Sequence, residues 1–336
     1  MRMSEIMATI AGWAPSTRQF RKFYDADIPV DLTGIQDFRG DAFPRHAPEC
    51  WIDAPDALFE VDRKLAAGEL TPDDAEMCRK FIVDGYYIAE RLIDGPKLDA
   101  TWEAYEAALR AGVISVQPES HGEGDPWPGR RLDPHLEVPA IRELQWDARI
   151  LRITDILFGR GTVPFQTIMG HKGSTQLAHS DAIHMTTYPL GFLVANWISF
   201  EDIHPDSGPL FYYPKSHRTL PYLLSAEVGI ARGEFKEGLP VYGSKYEPAV
   251  QKHLDAHGLE RQTFRAKKGD VLFWHANLVH GGDRRNDLSL TRKALVCHYF
   301  AERVVTYHDL SGNPSRLHRN GVFTPMAIDA PEGRPG

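Results

Sequence analysis

The chain has 336 residues, 42% hydrophobic and 25% charged, with a formal net charge of -8. That is enough apolar material for one large core or two modest ones, and the acidic balance offers no basic field to draw a phosphate backbone, which argues against nucleic-acid binding. Cys50, Cys78 and Cys297 are too few and too scattered for a disulfide framework or a Cys-rich zinc site; no run approaches the ~18 apolar residues of a membrane span, and residues 1–10 lack the apolar centre of a signal peptide, so a soluble cytoplasmic protein with no membrane partner is expected.

Residues 1–66 mix Pro, Asp and aromatic residues without sustained periodicity and read as an N-terminal arm of irregular structure. Thr71, followed by Pro72, Asp73, Asp74 and Glu76, is a helix start: a capping hydroxyl, a proline where the missing N–H costs nothing, and acids in the first turn. This helix is expected to reach Val83, with Gly85 turning the chain into a short strand at 86–88. Residues 96–109 read as helix ended by Gly112, and 133–158 as further helix. Beyond Gly161 the texture changes to short apolar segments split by Gly, Pro, Asp and Asn. Strands are expected at 163–169, 176–181, 191–200, 210–213, 270–274, 278–280 and 292–300. Short strands at irregular spacing after a helix-rich first third indicate an α+β chain with a sandwich or jelly-roll core, not a parallel α/β sheet. The jelly-roll domain is read as residues 67–308, with an insertion at about 218–268 able to lie over the barrel mouth. Within that insertion 247–257, closed by Gly258, is helical; residues 309–336, rich in Gly, Pro and Arg, form a tail.

Two imidazoles and one carboxylate on one face of a metal leave the opposite positions open, and His-x-Asp on a strand supplies two of the three. With 15 His in the chain, about one such triplet arises by chance, so the pattern alone discriminates little. There are three. His253-Leu-Asp255 lies in the predicted insertion helix, where residues two apart diverge by roughly 200°. His204-Pro-Asp206 sits in a turn whose Pro and Asp-Ser-Gly explain themselves. His179-Ser-Asp181 closes an apolar segment, and on a strand those side chains point the same way. Its third partner is expected from a distant strand that carries both His275 and His280. His280 is preferred because Gly281-Gly282 lets the backbone approach closely.

These motifs come in an order that resembles the phytanoyl-CoA dioxygenase family of iron(II)/2-oxoglutarate oxygenases over about residues 75–302. They are His179-Ser-Asp181; Asn196-Trp-Ile198, then Asp206-Ser-Gly-Pro-Leu210 and Pro214-Lys-Ser-His217; Gly269-Asp-Val-Leu-Phe273 leading to His280; and Arg292-Lys-Ala-Leu295. The resemblance implies a double-stranded β-helix, cupin-like core with flanking N-terminal helices. It implies Fe(II), 2-oxoglutarate and O2 as metal, cosubstrate and oxidant, and hydroxylation of a small molecule with release of succinate and CO2. Arg292 would grip the distal carboxylate of 2-oxoglutarate, a task suited to a planar guanidinium, with Lys293 as a rival because the interval from His280 is often one residue shorter. Trp197 falls where the family sets an aromatic against the cosubstrate, although a Trp in an inner strand is equally plain core. Gln166 and Thr167, on the strand before the metal loop, are read as hydrogen-bonding cosubstrate or substrate. Lys215 replaces the glycine of the family's Pro-Gly-Ser-His turn. The carboxylate Asp181 sets the chain apart from related halogenases, which put chloride in its place; desaturation and epimerisation stay open.

His171, His184 and His275 flank the proposed ligands and read as packed structural histidines, while His298 faces Arg292's side of an ideal strand. Lys172, Lys215 and Arg218 could meet an anionic group of the substrate, and the arm and tail could mediate a homodimer. A cupin-like isomerase or cosubstrate-independent dioxygenase using the same ligands, and a non-catalytic ligand-binding jelly roll, are the competing readings. The first has no use for Arg292 and the second none for a metal.

Overall fold

The computed structural model describes residues 35, 37–44, 49–116, 125–237 and 239–314, and the backbone of 316–319 and 322–325. Helices come first: α1 (Ala57–Ala66), α2 (Pro72–Asp84) and α3 (Gly95–Arg110), with strand β1 (Tyr86–Ala89) between the last two. The short β2 (Arg131–Leu132), α4 (Pro139–Gln145) and α5 (Ala148–Phe158) follow, then β3 (Thr162–Gly170), β4 (Thr186–Tyr188), β5 (Leu193–Ser199) and β6 (Leu210–Tyr212). The single turn α6 (Ser216–Thr219) precedes a π-helical turn, Tyr242–Tyr246, that runs into α7 (Glu247–His257). The chain then builds β7 (Gln262–Phe264), β8 (Val271–His275), β9 (His280–Gly282), β10 (Ala294–Ala301), β11 (Val305–His308) and β12 (Asn313–Pro314). Among the described residues no helix is long and apolar enough to cross a membrane.

The strands form the jelly roll. A six-stranded sheet runs β1-β8-β5-β10-β3-β2, and two three-stranded sheets run β7-β6-β9 and β12-β11-β4, all pairs antiparallel. Period-two alternation sorts the large sheet's side chains. Val194, Ile198, Val271, Phe273, Leu295 and Cys297 pack outward against Phe81, Leu98, Tyr105, Ile150 and Leu157 of the helices. Ala195, Trp197, Leu272 and Trp274 face inward, meeting Leu210, Tyr212 and Phe264 of the small sheet. Helices therefore cover one face of the large sheet, and the space between sheets is left for a site.

α2 shows how local chemistry anchors this layer. The Thr71 hydroxyl accepts from Asp74 N while Asp74 Oδ2 accepts from Thr71 N, and Gly85 ends the helix at φ 81°. The same Asp74 carboxylate takes two hydrogen bonds from Arg152 of α5, at 2.7 and 2.6 Å.

Several expectations need correction. Irregular structure does not extend to residue 66, since α1 occupies the last ten positions of the arm. The single helix expected at 133–158 is two, split at Trp146-Asp147, where the Asp147 side chain caps α5 by accepting from Arg149 N. β2, β4, β7, β11 and β12 were not foreseen; each is too short for its alternation to register. β7 lies inside the insertion and pairs with β6, so that segment is partly woven into the small sheet. Residues 1–34, 45–48 and 326–336, within the expected arm and tail, lie outside the described residues.

Arg152 and the Thr71 hydrogen bonds hold the Asp74 carboxyl down to about 2, against the cost of its burial. A depressed carboxyl stabilises the fold above its unfolded value near 4 and loses that contribution as pH falls toward 2. Asp74→Asn is therefore expected to lower unfolding free energy by about 1–2 kcal/mol at pH 7 and to flatten the acid limb between pH 4 and 2, as read by urea titration at stepped pH.

Candidate metal centre and its cavity

His179 and His280 are brought together by backbone, not by a full strand. His179 N donates to His280 O and His280 N to His179 O, each at 2.9 Å, as a single antiparallel bridge. The strand expected at 176–181 is reduced to this one pair, and Asp181–Ile183 turns away as a 3-10 helix. The i, i+2 alignment of His179 with Asp181 survives because Ser180 between them is extended, at φ −110° and ψ 152°. Tyr246 pins that residue: its hydroxyl accepts from Ser180 N at 2.9 Å and donates to Ser180 O at 3.2 Å. The sequence reading missed Tyr246; its only signal was two tyrosines four residues apart in an insertion expected over the barrel mouth. His280 opens β9 instead of closing a strand at 278–280, and its glycine neighbour is needed: a Cβ on Gly281 would lie 2.5 Å from the Phe211 ring and 2.7 Å from Gln176 O.

The reciprocal bridge stands the two imidazoles side by side, with ring centroids 4.5 Å apart. His179 Nδ1 donates to Leu177 O at 2.8 Å and His280 Nδ1 to Leu278 O at 3.0 Å. That pattern assigns both rings the tautomer that leaves Nε2 as a lone-pair donor. Asp181 Oδ1 lies 3.9 Å from His179 Nε2 and 3.7 Å from His280 Nε2. Its other oxygen, Oδ2, accepts from the Trp274 indole at 2.8 Å, with His298 Nε2 3.7 Å away. The donor atoms of the three residues fall within 4.8 Å of one another, so a common centre lies within ~2.8 Å of each, which small side-chain rotations bring to ordinary coordination lengths of about 2.0–2.2 Å. Donor type, tautomer and outer hydrogen bonds all fit a divalent metal.

All three are buried. Burial and the neighbouring His280 hold the His179 imidazole down to about 4, which keeps it neutral and able to ligate at physiological pH. Burial works against ionisation of Asp181, but His280, His298 and His179 outweigh it and hold the carboxyl far below the usual carboxylate range.

The centre opens into a cavity of about 500 Å3 between the sheets. Arg292 lines it, placed just before β10 and not on a strand as expected, with its N–H on His171 O at 2.7 Å. Its Nη1 donates to Gly208 O at 2.9 Å, its guanidinium carbon lies 5.8 Å from the Trp197 ring centroid, and its Nε is buried without a partner. No described carboxylate pairs with it; burial lowers it to about 10, still a cation at neutral pH. Lys293 points elsewhere, its ammonium 5.1 Å from the centre of the Trp102 ring outside the cavity. Trp197 and Gln166 line the cavity, but Thr167 does not. Thr167 Oγ1 instead pairs with His135 Nδ1 at 2.7 Å. The reason is a bulge: Phe165 and Gln166 together oppose His298 of β10, so both face inward and Thr167 is displaced.

His298 and His184 line the cavity as well, together with His308, which the sequence reading passed over; burial holds His184 down to about 3 and His308 down to about 4. His171 and His275 do not line it: His275 Nε2 approaches Asp53 at 3.2 Å, and His171 stacks on Trp127 and meets Trp102 edge-on. Of the basic residues expected to meet an anionic substrate, Lys172 lines the cavity but is paired to Asp125 at 3.1 Å. Lys215 and Arg218 are not in the wall, and the Arg218 guanidinium is spent on Ile52 O. Lys215 does reproduce the glycine geometry of its turn, at φ 69°, despite its side chain.

A jelly roll with two imidazoles and a carboxylate converging at one end of an internal cavity has the fold and donor set of the iron/2-oxoglutarate oxygenases. Residues 151–293 match the phytanoyl-CoA dioxygenase family, which bears out the resemblance carried by the sequence motifs. The chain is 28% identical over 250 residues to the peroxisomal phytanoyl-CoA dioxygenase of Mus musculus, covering 66% of this chain and 67% of the relative. Against the Homo sapiens enzyme it is 27% identical over 177 residues, 48% of this chain, and spans about half of that relative, 46%. Among solved structures, the α-ketoglutarate-dependent carbocyclase SnoK of nogalamycin biosynthesis superposes with a TM-score of 0.57 at 18% identity, covering 78% of this chain and 98% of the other. The epimerase SnoN, solved with Fe3+, α-ketoglutarate and nogalamycin RO, gives 0.52 at 20%, covering 77% and 97%. EctD from S. alaskensis with 2-oxoglutarate and 5-hydroxyectoine gives 0.52 at 18%, covering 78% and 85%. These likenesses establish the fold.

Two hydrogen bonds behind the ligands can be cut singly. Trp274→Phe frees Asp181 Oδ2 and is expected to weaken Co(II) or Fe(II) binding about 10-fold in anaerobic titration. Tyr246→Phe leaves the buried Ser180 N–H without its acceptor and is expected to cost about 1–3 kcal/mol of stability in denaturant unfolding.

Proposed function

We propose that this protein is an Fe(II)- and 2-oxoglutarate-dependent dioxygenase that hydroxylates an unactivated C–H bond of a small molecule, with release of succinate and CO2. The observation that carries the proposal is the pairing, in one cavity, of the His179, Asp181 and His280 donors with a buried, unmatched guanidinium at Arg292. A bare cation in a low-dielectric wall is costly unless a ligand completes it, and a dicarboxylic cosubstrate does so bidentately.

Each residue then has a task. His179, Asp181 and His280 would hold the iron at the wall of the cavity. Iron with 2-oxoglutarate and O2 supplies the oxidising chemistry when bound. Arg292 anchors the distal carboxylate of the cosubstrate, with Trp197 closing the slot beside the guanidinium. Gln166, brought inward by the bulge, offers an amide to cosubstrate or substrate. Trp274 orients the Asp181 carboxylate, and Phe165, Met185 and Ile168 exclude water from the reacting bond. Relatives of this fold bear names of hydroxylation, cyclisation and epimerisation products; the carboxylate at Asp181 supports oxygen insertion over halide transfer. We take residues 67–308 as the catalytic domain, with the arm 1–66, the insertion 218–268 and the tail 309–336 as its accessories. The span is supported by a strand series running from Tyr86 to His308.

Succinate release from 2-oxoglutarate by anaerobically loaded iron protein, exposed to O2 with a metabolite library, measures the reaction directly. Arg292→Ala is expected to raise the 2-oxoglutarate KM on the order of 100-fold. An unchanged KM would favour the cupin-like alternative, which has no diacid to anchor. Asp181→Ala is expected to abolish product formation, and turnover at the wild-type rate in that variant would sink the assignment.

A further inference from the structure

Once the metal and the cosubstrate anchor are assigned, the remaining wall of the cavity has its own electrostatic character. Its cations are already engaged. Lys172 pairs with Asp125, which also takes a hydrogen bond from Arg285, and Arg130 has partners of its own. Apart from Asp181, the carboxylate that lines the cavity is Asp133.

Asp133 is held rigidly with one oxygen free. Its backbone N–H donates to Thr167 O at 2.7 Å and its Oδ1 accepts from Thr167 N at 3.2 Å, so both ends of the residue are tied to β3. The backbone is left-handed, at φ 53° and ψ 39°, a conformation that costs a non-glycine residue about 1–2 kcal/mol and that Asp and Asn tolerate best. Among the described residues Oδ2 accepts no hydrogen bond and no Lys or Arg lies within ion-pairing distance; the His135 ring stands 3.9 Å from Oδ1, its Nδ1 already paired with Thr167 Oγ1. The side chain is 38% accessible, and the residue lines the cavity. Protein packed around it pushes the carboxyl up to about 6, and the pull of Thr167 N–H, His298 and Arg131 does not offset this. A carboxylate matched by a resident cation would be shifted the other way.

With Arg292 assigned to the cosubstrate, the charge of this wall that no described residue matches is the Asp133 carboxylate. A positively charged hydrogen-bond donor complements it.

Building on the function proposed above, we propose that the substrate presents a protonated amine to Asp133, so that the cavity selects small cationic molecules over neutral or anionic ones. Asp133 is a specificity-determining residue in this account.

The test uses the full chain, loaded with Fe(II) under nitrogen at pH 7.5, with and without 2-oxoglutarate. Binding is measured by calorimetry and thermal shift for matched probes: benzylamine and cyclohexylmethylamine, their N-acetyl amides, and the corresponding carboxylic acids. The wild type is expected to bind the amines at least about 10-fold more tightly than the amides and acids, and Asp133→Asn to erase that preference while still binding the amides. Asn suits the left-handed position, so the variant is expected to fold, and its amide binding reports that it has. Amides or acids binding as well as amines, no amine binding at all, or a preference that survives Asp133→Asn would each overturn the proposal. The 2-oxoglutarate titration in the same samples stands apart: if the cosubstrate fails to bind, the oxygenase reading fails, whereas cosubstrate binding without amine preference removes only the inference drawn here.

Discussion

Two backbone hydrogen bonds, exchanged between His179 and His280, set the geometry on which the rest of the cavity depends. They join segments a hundred residues apart in sequence and place two imidazoles against each other before any side-chain interaction is counted. Because the pair is isolated, with no ladder on either side, its register is kept by neighbours: Tyr246 on Ser180, and the close seat of Gly281 against Phe211 and Gln176 O. The carboxylate is then added by chain continuity, and Trp274 fixes its rotation from the large sheet. Every polar atom of the centre that does not face the cavity is bonded to something rigid. That is the arrangement expected of a site whose ligands must be poised before the ion arrives.

The large sheet contributes the remainder by alternation. Along β10 and the residues just ahead of it, Arg292, Ala294, Val296 and His298 all face the cavity, while Leu295, Cys297 and Tyr299 pack under the helices. One bulge in β3 interrupts the pattern and places Phe165 and Gln166 together on the inner face. A single register irregularity thus decides which amide reaches the cavity and which hydroxyl does not.

Much of this was legible in the residues. The capped helix at Thr71, the change of texture after Gly161, and the choice among three His-x-Asp triplets rest on short-range rules, and short-range rules are what a sequence states openly. The family likeness added Arg292, whose place beside a distant strand no local rule gives. What the sequence hid was of another kind. Whether 176–181 forms a strand or one bridge depends on pairing with residue 280, Thr167 and Gln166 exchange roles through a bulge created by β10, and Lys172 and Arg218 are taken up by partners remote in sequence. Each of these is a long-range contact deciding between two locally equal alternatives.

The π-helical turn at Tyr242–Tyr246 joins two tasks in five residues. Tyr242 forms part of the cavity wall, and Tyr246 grips the peptide between two donor residues. Any drift in the insertion that reshapes the chamber for a different guest therefore also tugs on the ion's seat. A lineage diversifying from this scaffold would find that segment slow to change, and would broaden its repertoire more freely through the wall built by β2 and β3, which carries no such double duty.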